Sequence, residues 1–304
     1  MNETTFTLNT GAEIPQIALG TWAATDDVCY NAVLEALKCG YRHIDTAALY
    51  RNEVPVGKAI KDSGVPREEI FVTTKLYDAD HKDPAKALDE SLERLGLSYV
   101  DLYLMHWPVP LKKDETTDDL FTAQLNDDGT KVIDSEWDFI KTWELMQKLS
   151  KDKAKALGVS NFSINNLKQL MASETTTVQP AANQCECYPL LPQDELISYC
   201  KQEGIVFEAY CPMGSASSPL FENETLQGIA EAYGVSAGEI MINWGAQRGY
   251  VLLPKSANPA RIANNKRLLK LKPEDFDKVS SLVKTEGELR HVKRLDFAPF
   301  PIFQ

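Results

Sequence analysis

The stretch Val100-Asp101-Leu102-Tyr103-Leu104-Met105-His106 is a short, mostly apolar run that ends on an imidazole. Two earlier stretches also end on titratable groups: Arg42-His43-Ile44-Asp45 ends on a carboxylate, and Ile70-Phe71-Val72-Thr73-Thr74-Lys75 ends on an ammonium. Short apolar runs that are each followed by a helical pattern are typical of parallel strands buried on both faces. These stretches therefore predict an α/β fold with polar groups at the carboxyl ends of neighbouring strands.

The strand-then-helix unit recurs eight times along the chain, which favours a closed (β/α)8 TIM barrel over an open sheet. Since no linker or low-complexity segment interrupts the units, residues 1–304 are predicted to form a single domain. An N-terminal β-hairpin is expected before the barrel, with Phe6 and Leu8, a turn at Asn9-Thr10-Gly11, and Ile14. The predicted barrel strands are Gln16–Leu19, Arg42–Asp45, Phe71–Lys75, Val100–Met105, Ala156–Val159, Ala181–Cys185, Val206–Tyr210 and Val251–Leu253. The clearest predicted helices are Asp27–Cys39, with Val28, Ala32, Leu34 and Leu37 facing inward, and Pro84–Leu95, Trp137–Leu149, Asp194–Gln202 and Ser236–Gln247.

Two long segments lack the alternation of strand and helix. One runs from Val109 to Asp134 after the fourth strand, and the other is the tail from Glu288 to Gln304, which carries Phe297, Phe300 and Phe303. A stretch of about 25 residues without regular structure is usually either functional or disordered. Because the first segment leaves the mouth of the predicted barrel, we expect a long loop that lines a pocket there. For the tail aromatics, lining of the pocket and packing on the barrel wall are both open.

The charge of the chain limits the classes of partner. The formal net charge is −12, from 32 basic and 44 acidic side chains. This balance argues against nucleic acid or an anionic membrane as the main partner. It does not exclude an anionic cofactor, because local cations can outweigh distant charges that are screened over about 8 Å.

The six cysteines and the chain's start indicate the compartment. The cysteines show no disulfide framework, and Cys185 and Cys187 lack the further ligands of a zinc site, so no metal is expected. The first residues lack the regions of a signal peptide, and no apolar run approaches the roughly 20 residues that cross a membrane. We therefore expect a cytoplasmic protein with reduced thiols.

Four titratable side chains, Asp45, Tyr50, Lys75 and His106, lie at or just past the ends of predicted strands. Because strand ends converge on one mouth of a barrel, we expect these groups to meet there. Tyrosine, with a pKa of about 10, is a poor acid near neutral pH, and a nearby lysine is expected to lower that pKa. Asp45 can keep Lys75 charged, and His106 can orient a carbonyl oxygen. Together the residues predict a tyrosine that protonates a carbonyl group.

The motifs around these residues are similar to those of a known family. They are Gly20-Thr21-Trp22, His43-Ile44-Asp45-Thr46-Ala47 with Tyr50, Lys75, His106-Trp107-Pro108, Gly158-Val159-Ser160-Asn161-Phe162, Asn183-Gln184, Tyr210-Cys211-Pro212-Met213-Gly214-Ser215 and Pro254-Lys255-Ser256. In this order, from about residue 6 to residue 300, the chain resembles the aldo-keto reductases. Within them it is most similar to yeast carbonyl reductases of the glycerol dehydrogenase and 2-methylbutyraldehyde reductase type. The resemblance implies reduction of aldehydes and activated ketones, including keto esters, with Tyr50 as general acid, and a monomeric enzyme.

The hydride for such a reaction must come from a bound cofactor. No glycine-rich dinucleotide fingerprint or P-loop follows a strand in this chain. After the eighth strand, however, Asn258 suits a helix N-cap and Pro259 the first helical position, and Lys255 and Arg261 flank them. A helix N-terminus between two cations is suited to bind an anion. The resemblance places the adenosine 2′-phosphate of NADPH there, which implies a preference for NADPH/NADP over NADH.

The resemblance also implies a full set of site residues. Those expected to bind the cofactor are Gly20, Thr21, Trp22, Ser160, Asn161, Gln184, Tyr210, Cys211, Pro212, Met213, Gly214, Ser215, Lys255, Ser256, Ala257, Asn258, Arg261, Asn264 and Asn265. Among them, Tyr210 would stack on the nicotinamide, while Ser160, Asn161 and Gln184 would bind its carboxamide. Those expected to contact the substrate are Trp22, Tyr50, His106, Trp107 and Phe297.

Two alternatives remain open at this point. One is a sugar or polyol oxidoreductase of the xylose, arabinose or glycerol type on the same machinery. The other is a structural barrel that holds the cofactor without turnover. The presence of all four proton-transfer residues favours an enzyme, and the loops contain no pattern that identifies the substrate.

Overall fold

The structure is a computed structural model that describes residues 4–303. Within this range, a short antiparallel hairpin precedes an eight-stranded parallel sheet. The hairpin strands are β1 (Thr5–Thr7) and β2 (Glu13–Pro15). The strands of the large sheet are β3 (Leu19–Gly20), β4 (His43–Asp45), β5 (Phe71–Leu76), β6 (Val100–Met105), β7 (Ala154–Ser160), β8 (Ala182–Glu186), β9 (Val206–Tyr210) and β10 (Val251–Leu253). The predicted (β/α)8 barrel with an N-terminal hairpin is confirmed.

Helices surround this sheet. They are α1 (Asp26–Lys38), α2 (Glu53–Asp62), α3 (Pro84–Leu95), α4 (Phe139–Met146), α5 (Ile164–Ala172), α6 (Asp194–Gln202), α7 (Glu224–Tyr233), α8 (Ala237–Arg248), α9 (Pro259–Asn265) and α10 (Pro273–Glu286). No helix within residues 4–303 has the length and apolar character needed to span a bilayer.

The barrel closes between its first and last strands. The predicted first strand, Gln16–Leu19, is shifted towards the mouth, because β3 covers Leu19–Gly20. Residues 16–18 instead form the seam: the Leu252 N–H donates to the Gln16 carbonyl oxygen at 2.8 Å, and the Ala18 N–H donates to the Leu252 carbonyl oxygen at 2.9 Å. These bonds satisfy the backbone groups that an open sheet would leave at its edges.

The hairpin covers the bottom of the barrel. Leu8 and Ile14, which flank its turn, are buried against Phe71, Leu102 and Val251 from three barrel strands. The catalytic groups predicted from the sequence lie at the opposite end, where the strands finish. The hairpin therefore closes the apolar end of the barrel. The four predicted groups lie at the opposite, polar end.

Capping residues explain where the helices begin. The Asp83 side chain accepts a hydrogen bond from the Lys86 N–H, and Pro84 follows it, so α3 begins at the predicted residue. For α4, the predicted start at Trp137 is wrong, because Asp138 is the N-cap and accepts from the Lys141 N–H. Capping is therefore the stronger signal where it competes with apolar periodicity.

The inward face of α1 differs from the prediction at one position. Ala32 and Leu37 are buried as expected and Leu34 is half-buried, but Val28 is 45% exposed. The position that faces the barrel in the first turn is the neighbouring Cys29, which is fully buried. The inward face of the first turn of α1 is therefore shifted by one residue from the predicted face.

The long loop and the tail form one structure over the mouth. Isolated antiparallel pairings, such as Leu111 with Ile133, order the segment after β6. Its apolar side chains pack with Trp107 and with Phe297 of the tail. The loop is therefore ordered beside Trp107, and its lining of a pocket stays a prediction. The tail aromatics Phe297 and Phe303 pack on Trp107, with centroid separations of 5.7 and 6.2 Å, rather than on the outer barrel wall.

The tail is attached to β8 mainly through its backbone. The Glu186 carboxylate accepts hydrogen bonds from the N–H groups of His291 at 2.8 Å and Val292 at 2.9 Å. The Tyr188 hydroxyl donates to the Leu289 carbonyl oxygen at 2.9 Å. Because Glu186 is fully buried, these hydrogen bonds also satisfy a carboxylate that would otherwise be costly to bury.

Helices α2 and α3 approach each other closely at Gly57, where a Cβ atom would lie 1.8 Å from the Leu95 carbonyl oxygen. We expect Gly57→Ala to lower the free energy of unfolding by more than about 2 kcal/mol, because the helices must separate. Gly228→Ala in α7 is the control, since nothing lies within 4 Å of its added Cβ. Its stability should stay equal or rise by up to about 1 kcal/mol. Urea denaturation measures both, and equal stabilities would contradict this packing.

Candidate active site

The four predicted proton-transfer residues meet at the mouth of the barrel. Asp45 is the last residue of β4, Lys75 lies near the end of β5, and His106 directly follows β6. Tyr50 lies in a short 3₁₀ helix, Ala48–Tyr50, just after β4. The residues come from three neighbouring strands and one loop, as expected for a barrel whose loops carry the chemistry.

Lys75 and Asp45 form a buried ion pair inside the barrel. The Lys75 Nζ atom lies 2.7 Å from Asp45 Oδ1 and 2.9 Å from Oδ2, and it donates to the Thr46 carbonyl oxygen at 2.8 Å. These contacts match the three donors of an ammonium group. The predicted pairing of Asp45 with Lys75 is therefore present.

The Tyr50 ring packs between other site residues. Its centroid is 4.9 Å from that of Trp22 and 5.6 Å from that of His106, in edge-on geometry. The Lys75 Nζ atom lies over the ring, 5.0 Å from the centroid. A cation at this distance is attracted to the ring face and fixes the position of the ring relative to the ion pair.

The protonation of Tyr50 differs from the sequence-based prediction. Burial, with further contributions from Asp45 and Cys211, raises the pKa of Tyr50 well above its usual value. The prediction of a lowered pKa is wrong in its net direction, because burial outweighs the charge of Lys75, whose donors are directed at Asp45 and Thr46. Tyr50 is therefore a phenol that keeps its proton at neutral pH.

His106 is a neutral imidazole. Burial lowers the pKa of His106 well below its usual value, and the cations Lys75, Arg294 and Lys131 lower it further. Its ring stacks on Trp107 with centroids 6.3 Å apart. The Nδ1 atom is buried and has no hydrogen-bond partner within residues 4–303. This ring nitrogen lies near Tyr50 and is suited to hydrogen-bond a ligand that enters the site.

The residues expected to bind a carboxamide form a connected cluster beside His106. The Asn161 side chain donates to the His106 carbonyl oxygen at 2.9 Å and accepts from the Tyr210 hydroxyl at 2.8 Å. The Ser160 hydroxyl donates to the Gln184 carbonyl oxygen at 2.7 Å. The cluster therefore joins strands β7, β8 and β9 to His106.

The structure adds one residue that sequence reasoning missed. Glu208 on β9 is fully buried and accepts a 2.7 Å hydrogen bond from Gln184, which also donates to Asp45 at 2.9 Å. Burial raises the pKa of Glu208 to about 8. A signal was present in the sequence, because a glutamate in the middle of the apolar run Val206–Tyr210 is unusual for a buried strand.

The predicted anion site lies after β10. The Asn258 side chain caps α9 by accepting from the Arg261 N–H at 3.0 Å, and Pro259 is the first helical residue, as predicted. Lys255 and Arg261 are exposed, and among residues 4–303 neither side chain has an assigned ion pair or hydrogen bond. Two unpaired cations beside a capped helix start fit the phosphate of a dinucleotide.

The other predicted cofactor residues lie mainly in the segments that follow β3, β9 and β10. Gly20 pairs with Lys255 across the barrel seam. Cys211, Pro212, Met213, Gly214 and Ser215 form a tight turn after β9, with Gly214 at φ 73° and its N–H bonded to the Cys211 carbonyl oxygen at 2.8 Å. Of the remaining positions of this set, Thr21 follows β3, Ser256 and Ala257 follow β10, and Asn264 and Asn265 end α9.

The expected substrate walls differ in exposure. Trp22 is 55% exposed at the mouth. Trp107 is only 3% exposed, and Phe297 is fully buried beneath the Arg294 guanidinium, whose Cζ atom is 3.7 Å from the ring centroid. Trp22 is therefore the most exposed of the expected substrate residues, while Phe297 packs on Trp107. Within residues 4–303 no group of three His, Cys, Asp or Glu side chains is arranged to hold a metal ion.

Comparisons with known proteins agree with this geometry. A model of the aldo/keto reductase family matches residues 16–284. A glycerol 2-dehydrogenase (NADP(+)) of Saccharomyces cerevisiae is 56% identical over 98% of this chain and 96% of its own length. An aldehyde reductase of the same yeast is 55% identical over 99% and 97%, respectively. The solved structure of the aldose reductase from Schistosoma japonicum superimposes with a TM-score of 0.89 at 31% identity, over 99% of this chain and 98% of that one.

The buried ion pair makes a prediction about stability. Lys75→Met leaves the Asp45 charge unpaired, so we expect the free energy of unfolding to fall by about 3–5 kcal/mol. Adding Asp45→Asn should recover part of this loss. Lys148→Met is the control, because the Lys148–Glu144 pair is exposed and should contribute under about 0.5 kcal/mol. Urea denaturation followed by tryptophan fluorescence measures all of these, and equal losses for Lys75→Met and Lys148→Met would contradict the role of the pair.

Proposed function

Because this chain belongs to the aldo/keto reductase family, we propose that Tyr50 is the general acid in an NADPH-dependent reduction of aldehydes and activated ketones, including keto esters, to alcohols. The relatives named above make the chain an NADP-dependent oxidoreductase acting on carbonyl groups. The single observation that carries the assignment of Tyr50 is its position between the neutral His106 and the buried Lys75–Asp45 pair.

The side chains of the site donate the proton and orient the carbonyl group that receives it. NADPH, when bound, supplies the hydride. His106 donates a hydrogen bond from a ring N–H to the carbonyl oxygen and so orients the substrate next to Tyr50. As negative charge develops on that oxygen, the Tyr50 hydroxyl transfers its proton to it. An alkoxide is a much stronger base than a tyrosinate, so this transfer is favourable even though burial raises the pKa of Tyr50.

Lys75 and Asp45 act after the proton has left. The resulting tyrosinate carries a negative charge in a buried site, which is costly unless a cation is close. Lys75 lies over the Tyr50 ring and stabilises that charge through space. Asp45 keeps Lys75 in place when Tyr50 is neutral, so the cation is present at every stage.

The cofactor contacts are proposed from the same geometry. Lys255 and Arg261 would bind the 2′-phosphate, with Asn264 and Asn265 close to the adenine. Tyr210 would stack on the nicotinamide, and the Ser160–Asn161–Gln184 cluster would bind its carboxamide. The turn at Gly214 and Ser215 would follow the pyrophosphate, since it lies between these two regions in the chain.

A sugar or polyol oxidoreductase is the second candidate. It is favoured by the names of two relatives, the yeast glycerol 2-dehydrogenase and a D-galacturonate reductase of Hypocrea jecorina that is 40% identical. The exposed Trp22 next to Tyr50 favours less polar carbonyl substrates instead. NADPH consumption over aldehydes, keto esters and aldoses, with glycerol and NADP in the reverse direction, separates the two. Highest kcat/KM for aldoses or glycerol would support the second candidate.

The cellular form of the protein is also proposed. We place it in the cytoplasm, because all six cysteines are unpaired thiols, which is typical of a reducing compartment. The resemblance to the aldo-keto reductases favours a monomer. Light scattering coupled to size-exclusion chromatography would give a mass near 34.0 kDa for a monomer.

Tyr50→Phe tests the general acid. The substitution removes one hydroxyl, so fold and NADPH binding should stay nearly unchanged, while turnover should fall at least about 10²–10⁴-fold. Tyr30→Phe is a matched control, because the Tyr30 hydroxyl bonds Asp62 at the protein surface. A Tyr50→Phe enzyme that keeps more than half of its turnover, with hydride transfer shown to be rate-limiting, would contradict the assignment.

Arg261→Ala tests the choice of cofactor. A charge-assisted hydrogen bond contributes about 1.5–3 kcal/mol, so loss of Arg261 should weaken NADPH binding about 10- to 100-fold. Binding of NADH, which lacks the 2′-phosphate, should barely change. Arg267→Ala, an exposed cation just beyond α9, should leave both dissociation constants unchanged. Fluorescence titration gives the constants, and equal losses for the two cofactors would show that Arg261 acts elsewhere.

A further inference from the structure

Glu208 is a buried acid that the mechanism above does not use. It lies in the middle of β9 with its side chain inside the barrel, and it is fully buried. Gln184 is its register partner on β8. The Gln184 Nε2 atom donates to Glu208 Oε2 at 2.7 Å and to Asp45 Oδ2 at 2.9 Å. Glu208 Oε1 is buried and has no partner within residues 4–303.

These contacts fix the orientation of the Gln184 amide. A side-chain amide nitrogen carries two hydrogens, and here one is directed at Glu208 and the other at Asp45. The amide oxygen of Gln184 is therefore left as the acceptor for a ligand. Loss of Glu208 would remove one of the two constraints that hold the amide in this orientation.

Glu208 also changes the charge of the barrel interior. Burial raises the pKa of Glu208 to about 8; the Gln184 hydrogen bond lowers it, Asp45 raises it and Lys75 lowers it. The charged groups that act on Glu208 across the barrel interior are Asp45 on β4 and Lys75 on β5. With Glu208 protonated, the charges of Asp45 and Lys75 cancel. With Glu208 ionised, the same three groups carry one net negative charge.

We propose that Glu208 is a positioning residue that holds the Gln184 amide and, by gaining or losing its proton, shifts the preference of the site between the reduced and the oxidised cofactor. The inference rests on the proposed function, in which Gln184 and Tyr210 contact the nicotinamide. The oxidised nicotinamide ring is a cation and the reduced ring is neutral, so ionised Glu208 favours NADP+ and protonated Glu208 favours NADPH. By linkage, NADP+ must in turn favour ionisation of Glu208.

The test is the ratio of the dissociation constants of NADPH and NADP+ between pH 6 and pH 9.5. Fluorescence titration of the wild-type enzyme should show that the ratio rises on the order of 5-fold or more through the region near pH 8. In Glu208→Gln, which is neutral and similar in shape, the ratio should stay flat. The 2′-phosphate is common to both cofactors, so its own titration cancels. Glu239→Gln, a nearly buried glutamate in the capping box of α8, is the control and should behave as wild type.

An unfolding measurement provides a second readout. A carboxyl with an ordinary pKa of 4.5 and a folded pKa of about 8 ionises first in the unfolded chain. The wild type should therefore lose stability relative to Glu208→Gln as pH rises from about 4.5 to about 8, and the difference should be constant above that. If Glu208→Gln does not fold, Glu208→Met offers another neutral side chain for both measurements.

The outcomes separate this inference from the proposed function. An equal rise of the ratio in wild type and Glu208→Gln, or a flat ratio in both, would overturn the role of Glu208 while leaving the reductase assignment intact. Failure of the wild type to bind either cofactor at any pH would overturn the proposed function itself. A pH-dependent ratio that disappears only in the Glu208 variants supports both.

Discussion

The buried pair of Lys75 and Asp45 is the interaction on which the rest of the site depends. The Lys75 ammonium group on β5 has no access to water, and its partners come from the neighbouring strand: Asp45 on β4 and the adjoining Thr46 carbonyl oxygen. The pair therefore forms only when β4 and β5 keep their observed register within the barrel. It also acts on neighbours: after burial, Lys75 is among the causes that lower the pKa of His106. Lys75 thus adds to the effect of burial in keeping His106 neutral, and it packs over the Tyr50 ring.

The fold could be predicted because its signals are local. Each strand-then-helix unit is readable within about 30 residues, and α3 was placed correctly since Asp83 and Pro84 mark its start. Errors occurred where a distant element decides the outcome. The seam that Gln16 and Ala18 form with Leu252 joins residues more than 200 positions apart, so the first strand was misplaced. The face of α1 was rotated by one residue because only the packed barrel distinguishes Cys29 from Val28.

The site was predictable in its members but not in its electrostatics. Asp45, Lys75 and His106 end strands, and strand ends converge, so their proximity follows from topology. The protonation of Tyr50 depends instead on burial and on where the Lys75 donors point, which no spacing reveals. Glu208 was missed for a related reason: its partner Gln184 and the next link, Asp45, are connected only across the barrel interior. The electrostatics inside a closed barrel therefore depend on side chains from several strands at once.

The attachment of the tail to Glu186 has a consequence for how such an enzyme can diversify. The carboxylate holds the tail by the N–H groups of His291 and Val292, which every residue except proline possesses. Side chains on the tail can therefore change without loss of the anchor. The sequence of the segment packed over Trp107 can therefore vary between related proteins, while Asp45, Tyr50, Lys75 and His106 stay the same.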